Sequence, residues 1–169
     1  MITAIIETRN QEVSLAHLLA ALVPAATEGV IRDVVVVDHG SGDGTRVVAD
    51  AAGCALIDAS AETDALGAAV ANARGDWLLL TPVTHVFHPE WQEDALAFIQ
   101  RVSISGARHK RSATFHAGRL SSGPFAWLRV LMRGGDAARL VAKSDWLAAR
   151  STMPASATSR VSGVRRGAA

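Results

Sequence analysis

The sequence predicts an α/β fold in which a doubly wound, mostly parallel sheet is flanked by helices on both faces. Short apolar runs rich in β-branched residues alternate with longer segments of helical periodicity. The run over 31–37 is of the kind that is buried on both faces of a parallel sheet. A glycine-rich turn signal at 38–45 follows it directly, as expected where a strand passes into a helix.

The individual elements follow in order from these patterns. An apolar run at 2–8 predicts a buried first strand, and helical spacing over 11–23 predicts the helix after it. Asp43 or Ser41 is expected to cap the next helix. The other elements predicted up to residue 80 are strands at 31–37, 54–57 and 77–80 and helices at 44–52 and 62–73.

The second half is less regular. A helix is predicted to begin at Pro89, where a missing amide costs nothing. The segment 102–120 mixes basic residues with β-formers and predicts one or two strands. A helix is predicted over 125–132 and a final strand over 138–143.

Length and composition favour one domain. The chain has 169 residues, of which 49% are hydrophobic and 20% charged, a balance that excludes an intrinsically disordered protein. We predict a folded domain over 1–150 and a mobile Ser/Arg-rich tail over 151–169. The single cysteine, Cys54, lies in an apolar run, so a disulfide framework is excluded.

Charge is distributed unevenly. Residues 1–94 hold fourteen of the sixteen acids and four of the seventeen Lys and Arg, whereas 95–169 hold thirteen basic residues. This asymmetry predicts a basic face for phosphates or an anionic lipid surface, with nucleic acid not favoured as a partner. The alternative is that the two halves attract each other within one fold.

The sequence also bears on location. The first residues read as a core strand rather than a signal peptide, and no apolar stretch reaches the roughly 18 residues of a membrane span. We therefore expect a cytoplasmic protein, with peripheral contact at the inner face of the membrane as the alternative. The apolar segment 125–133 fits a core helix better than a membrane-surface helix because it is short.

The loop after the second predicted strand is the strongest candidate site. Ligands of α/β sheets bind outside the carboxyl ends of strands, and Asp38 stands at such an end. Its carboxylate can accept hydrogen bonds from a base or a sugar hydroxyl, and the glycines allow close approach to a ligand. An ordinary turn with a capping aspartate is the alternative. The loop is also similar to the nucleotide loop of S-adenosylmethionine-dependent methyltransferases, in which Asp58 would bind ribose.

Three segments decide between these interpretations. They read IIETRN at 5–10, VVDHGSGDGT at 36–45 and ANARGDWLLL at 71–80. In this order and spacing they resemble family 2 glycosyltransferases, which have the GT-A fold, a Rossmann-like fold. The resemblance covers about residues 2–100, with a weaker echo at 138–148, where such enzymes have a strand and a Ser-led helix. A methyltransferase loop would follow the first strand of the sheet, whereas here a β-α unit precedes it.

The resemblance implies a site for a nucleotide or nucleotide-sugar. Asp76 would open the strand that leads to the metal site, and Asp43 to Thr45 would start the second helix. The residues implied to bind the nucleotide are Thr8, Arg9, Asn10, Asp38, Gly40, Ser41 and Asp76.

The sequence departs from the family where a metal would bind. Members place two carboxylates, Asp-x-Asp, just after the fourth strand to hold Mg²⁺ or Mn²⁺ against the diphosphate. Here the letters are Pro82-Val83-Thr84, so a bound divalent cation is doubtful and no metal ligands are assigned. Pro82, Thr84 and His85 mark the diphosphate region or degenerate metal site. His85 and His88 are expected to be unliganded surface residues, and the basic stretch 108–111 could instead neutralise the diphosphate.

The catalytic base is also missing. Inverting sugar transfer needs a carboxylate that deprotonates the acceptor, and Asp136 and Asp145 are the only downstream acids. Two hypotheses follow. The first is a glycosyltransferase that transfers sugar from a nucleotide-sugar without the usual metal, with a lipid-linked molecule among the candidate acceptors. The second is an inactive GT-A-fold binding or regulatory module, a pseudoenzyme. A methyltransferase is a remote third hypothesis.

Overall fold

The computed structural model describes residues 1–105, 112–116, 119–121 and 137–151. Strands and helices alternate through the first part of the chain, as the sequence patterns predict. The strands are β1 (Ile2–Thr8), β2 (Ile31–Asp38), β3 (Ala55–Asp58), β4 (Trp77–Pro82), β5 (Ser112–His116), β6 (Arg119–Ser121) and β7 (Ala138–Ala142). The helices are α1 (Glu12–Thr27), α2 (Thr45–Ala51), α3 (Ala65–Asn72), α4 (Trp91–Ser105) and α5 (Lys143–Ser151).

The strands of the described part form one sheet of seven strands, in the order β3-β2-β1-β4-β7-β5-β6. The pairs among β1 to β4 are parallel, whereas β7 is antiparallel to both β4 and β5, and β6 is antiparallel to β5. Five of the seven strands therefore run in one direction. The predicted doubly wound, mostly parallel α/β fold is confirmed.

Strand register brings the ends of the first three strands together. Thr8 lies opposite Asp38, and Asp38 lies opposite Asp58. On the other side of β1, Glu7 lies opposite Pro82 of β4. We call this end of the sheet the carboxyl edge, and the end where β1 to β4 begin the amino edge.

The two faces of the sheet are covered by different helices. One apolar cluster joins Ile6 and Val36 to α1, α2 and α4, and we call this side the first face. The other cluster joins Ile5 and Val37 to α3 and to Trp146 of α5, and we call it the second face. Because successive residues of a strand point to opposite faces, Thr8 and Asp38 belong to the first face and Glu7 to the second.

Several predicted boundaries shift. α1 continues past residue 23 and contains Pro24 in its last turns. Residues 102–105 close α4 rather than beginning a strand, although the strands predicted over 102–120 are present as β5 and β6. Lys143 opens α5 because its amide donates to the carbonyl of Asp76, at the point where β7 stops pairing with β4.

Some predictions lie outside the described residues. These are the helix over 125–132, the basic stretch 108–111 and the tail beyond Ser151, which is itself the last residue of α5. Within the part of the chain that the structure does describe, no helix is both long and apolar enough to cross a membrane.

Candidate functional site

Asp38, at the end of β2, is fully buried and held by the protein itself. The Ser41 amide donates to both carboxylate oxygens at 3.2 Å, and the Ser41 hydroxyl donates to Oδ1. Arg46, in the first turn of α2, places its Nε 3.6 Å from Asp38 Oδ2. Both carboxylate oxygens of Asp38 therefore have partners within the chain.

Arg46 also joins the ends of β2 and β3. Its Nη2 lies 3.0 Å from Asp58 Oδ2. The amide and the hydroxyl of Ser60 donate to Asp58 Oδ1 at 3.0 and 2.5 Å. The Ser60 hydroxyl, followed by the Ser60 amide and by Arg46, holds the pKa of Asp58 below its ordinary value of 3.8.

The glycine loop is fastened to the residues before α1. The Ser41 hydroxyl accepts from the Asn10 amide at 2.8 Å, and Asn10 Oδ1 accepts from the Gly42 amide at 2.7 Å. Two residues take left-handed backbone: Asn10 with φ 51° and Gly40 with φ 78°. Glu12 Oε2 accepts from the Gly44 amide at 3.1 Å. The amides of Ser41, Gly42, Gly44 and Thr45 thus already have side-chain acceptors.

Asp43 caps the start of α2 from outside the helix. The residue at the helix boundary is Gly44, which has no side chain, whereas Asp43 Oδ1 accepts from the amide and the hydroxyl of Thr45 at 3.0 and 2.5 Å. Its Oδ2 accepts from the Glu12 amide at 3.2 Å. The hydroxyl of Thr45 is the main cause of a lowered pKa of Asp43.

This lowered pKa predicts an acid-dependent loss of stability. Because the folded-state pKa lies below the ordinary 3.8, the ionised Asp43 stabilises the fold at pH values above 3.8, and that contribution disappears as the pH falls through the folded-state value. Urea unfolding of the wild type and Asp43→Asn between pH 6 and pH 3 should show a stability gap that closes on acidification. Asp50→Asn, at an exposed position of α2, is the control. A stability difference between the wild type and Asp43→Asn that stays constant down to pH 3 would contradict the lowered pKa of Asp43.

Thr8 and Arg9 lie where β1 leaves the sheet. Thr8 is 3% exposed, and its hydroxyl makes no hydrogen bond in the described structure. Arg9 is exposed and forms no ion pair with any described residue. Arg9 is therefore the residue of the predicted set whose charged group is available to a ligand.

Two residues that the sequence interpretation did not include lie at the same edge. Glu7 Oε2 is 3.3 Å from His39 Nε2, and their side chains are 23% and 24% exposed. Both flank predicted residues, since Glu7 precedes Thr8 and His39 follows Asp38. They could have been found from the alternation of β1, which places Glu7 on the face opposite to Thr8.

The end of β4 does not offer metal ligands. Val83 is 4% exposed and belongs to the apolar core, while Thr84 is exposed. Pro82 has no ligating group, so these residues do not fit the cation that family 2 enzymes hold here. No group of three or more His, Cys, Asp or Glu that could hold a metal occurs among the described residues.

The expectation that His85 is a surface residue is wrong. It is only 6% exposed, because its ring packs edge-on against Phe87 at 4.5 Å between centroids, next to the rings of Trp91 and Phe115. His88 is exposed as predicted, and its Nδ1 accepts from the Glu90 amide at 3.3 Å.

Asp76 does not join the other predicted residues. It precedes β4 at the amino edge, where its carboxylate lies 3.7 Å from the amino group of Met1. The six residues of β4 separate it from the carboxyl edge, a distance of about 20 Å for an extended strand. The structure therefore gives no support to a nucleotide contact by Asp76.

Comparison with solved structures shows the same fold. Mannosyl-3-phosphoglycerate synthase from Rubrobacter xylanophilus superposes with a TM-score of 0.54 at 21% identity, covering 66% of this chain and 38% of the other. Glucosyl-3-phosphoglycerate synthase from Mycobacterium tuberculosis in complex with uridine-diphosphate gives 0.58 at 17% identity, covering 85% and 57%. The complex of that enzyme with Mn²⁺, UDP-glucose and phosphoglyceric acid gives 0.55 at 16% identity, again covering 85% and 57%. This chain therefore spans about 40 to 60% of the length of these enzymes.

Sequence comparison identifies the family. No curated protein matches the chain. The sequence model described as Glycosyl transferase family 2, however, matches residues 3–146, which is most of the chain. The methyltransferase hypothesis is left without support, since both the glycine loop and the whole sheet are accounted for by this match. The chain belongs to glycosyl transferase family 2 and has the GT-A fold of nucleotide-sugar glycosyltransferases.

Proposed function

We propose that the chain binds a nucleoside diphosphate sugar along the carboxyl edge, with the nucleoside against Glu7, His39 and Arg9. The observation that carries the proposal is the partly exposed Glu7–His39 pair, placed where β1 and β2 both end. This is the part of an α/β sheet where ligands bind. A carboxylate next to an imidazole offers an acceptor and a donor to the edge of a base.

Other predicted residues hold in place the backbone segments that carry His39 and Arg9. Asp38 and Ser41 fix the glycine loop, and Asn10 fixes the segment that carries Arg9. Gly40 supplies the left-handed turn that starts the loop. On this proposal they set the position of Glu7, His39 and Arg9 and make few contacts with the ligand.

The reaction proposed is sugar transfer. An acceptor hydroxyl oxygen attacks the anomeric carbon, the bond from that carbon to the diphosphate oxygen breaks, the hydroxyl proton passes to a base or to water, and the nucleoside diphosphate leaves. The solved neighbours with UDP, UDP-glucose and phosphoglyceric acid support UDP-glucose as the first donor to test and phosphoglyceric acid as the first acceptor.

A specific observation favours a second candidate, an inactive binding module. The two carboxylate positions of the Asp-x-Asp motif are taken by Pro82 and Thr84. A member of the family could keep the nucleotide site and lose the chemistry.

Calorimetric titration and a transfer assay test both candidates. UDP, GDP, UDP-glucose and GDP-mannose are titrated into the purified protein with and without Mn²⁺, and UDP release is then measured with UDP-glucose and phosphoglyceric acid. We expect binding of a uridine or guanosine diphosphate. Binding with release of UDP that depends on the acceptor supports the transferase, and binding without release supports the module. Absence of binding under every condition would overturn the proposal.

A further inference from the structure

Arg139 of β7 stands on the same face and near the same edge as Glu7. It lies opposite Leu80 of β4 and opposite Thr114 of β5. Residues that lie opposite each other in a sheet share a face, and Leu80 and Val141 both belong to the apolar cluster of the second face. Arg139 therefore projects from the second face, two residues along β4 from Pro82.

Among the residues that the structure describes, the Arg139 guanidinium has no hydrogen-bond or ion-pair partner. None of the hydrogen bonds and ion pairs of the described residues involves its side chain. The residue is exposed, yet the protein around it lowers the pKa of the guanidinium through desolvation. An exposed guanidinium without a partner among these residues is open to an anionic ligand, with which it can form charge-assisted hydrogen bonds.

The spacing between Glu7 and Arg139 suits a nucleoside diphosphate sugar that lies across β4 at the carboxyl edge. β4 lies between β1 and β7, and Arg139 is level with Leu80, two residues before Pro82, so Glu7 and Arg139 are about 12 Å apart. Pro82, at the position of the lost Asp-x-Asp motif, lies between them on the same face. A nucleoside over Glu7 would direct its diphosphate past Pro82 and toward Arg139.

We propose that Arg139 binds the diphosphate of the donor and supplies, as a fixed cation, the positive charge that a metal ion held by the two Asp-x-Asp carboxylates would supply. This rests on the proposed nucleotide site. The planar guanidinium donates two parallel hydrogen bonds to phosphate oxygens and keeps its charge at any working pH. The charge on the departing diphosphate would then be stabilised without a bound divalent ion.

Calorimetry with three probes tests this assignment. Uridine, UDP and inorganic pyrophosphate are titrated into the wild type, Arg139→Gln, Arg139→Lys and the control Arg32→Gln, which removes an exposed strand arginine near the amino edge. We expect the wild type to bind UDP more tightly than uridine without Mn²⁺. Arg139→Gln should weaken UDP and pyrophosphate by about ten- to a hundredfold and leave uridine unchanged, while Arg139→Lys recovers part of the loss.

The outcomes separate this inference from the proposed function. UDP binding that Arg139→Gln does not change would overturn the role of Arg139 and leave the nucleotide site standing. Pyrophosphate binding that needs Arg139, without binding of uridine or UDP, would support the anion site and overturn the nucleotide site. If Arg32→Gln weakens UDP as much as Arg139→Gln does, the effect is general electrostatics and the assignment fails. If uridine, UDP and pyrophosphate all fail to bind, both the nucleotide site and the role of Arg139 are overturned.

Discussion

Asp38→Ala should lower the free energy of unfolding by about 2–4 kcal/mol, somewhat less than the full value of two hydrogen bonds to a charged acceptor. The substitution leaves the Ser41 amide and hydroxyl without their acceptor and removes one of the two carboxylates that Arg46 joins. Asp38 is fully buried, whereas Ser41 is half-buried and Arg46 is exposed, so water replaces the lost contacts only in part. Urea unfolding followed by circular dichroism gives the change directly.

The matched control is Asp50→Ala, which removes an exposed carboxylate from α2 and should change stability by less than about 0.5 kcal/mol. If Asp38→Ala were equally mild and yet abolished nucleotide binding, Asp38 would be a ligand contact rather than an anchor of the loop. Binding data for the variant therefore need to be taken at a temperature where it is folded.

The fold could be predicted from the sequence because each helix and strand is specified by the pattern of its own residues. The β-branched run of β2 and the helical spacing of α1 each specify one element, and alternation of such elements restricts the sheet to a mostly parallel form. The antiparallel insertion of β7 beside β4 could not be predicted in this way. Pairing between strands so distant in the chain depends on tertiary packing, which periodicity does not encode.

Most residues predicted for the candidate site lie together at the carboxyl edge, whereas their contacts within the protein could not be predicted. The sequence shows that Asp38 ends a strand, and it does not show that Ser41 and Arg46 will occupy its carboxylate. The same limit applies to His85, which packs against Phe87, a ring that in turn contacts Phe115 of a distant strand. Asp76 was placed by motif, whereas the direction of β4 puts it at the opposite edge.

His39→Ala and Glu7→Gln should each weaken the binding of uridine and of UDP by about tenfold, the value of one net hydrogen bond. His39 and Glu7 are proposed to contact the nucleoside, so both ligands should lose the same factor. This differs from the result expected at Arg139, where only ligands that carry a diphosphate are affected. Calorimetric titration of the two ligands into each variant measures both factors.

His17→Ala is the control, because His17 is an exposed histidine on α1 with no contact at the carboxyl edge. A second control is the stability of the variants. Glu7 and His39 are each about three-quarters buried and contact each other at 3.3 Å, so an unfolding measurement must show that the fold survives. Equal losses for uridine and UDP in a folded His39→Ala would place the nucleoside at the ends of β1 and β2. A loss of affinity for UDP but not for uridine would instead indicate that the diphosphate lies at the ends of β1 and β2. The proposed orientation of the nucleotide-sugar across the sheet would then be reversed.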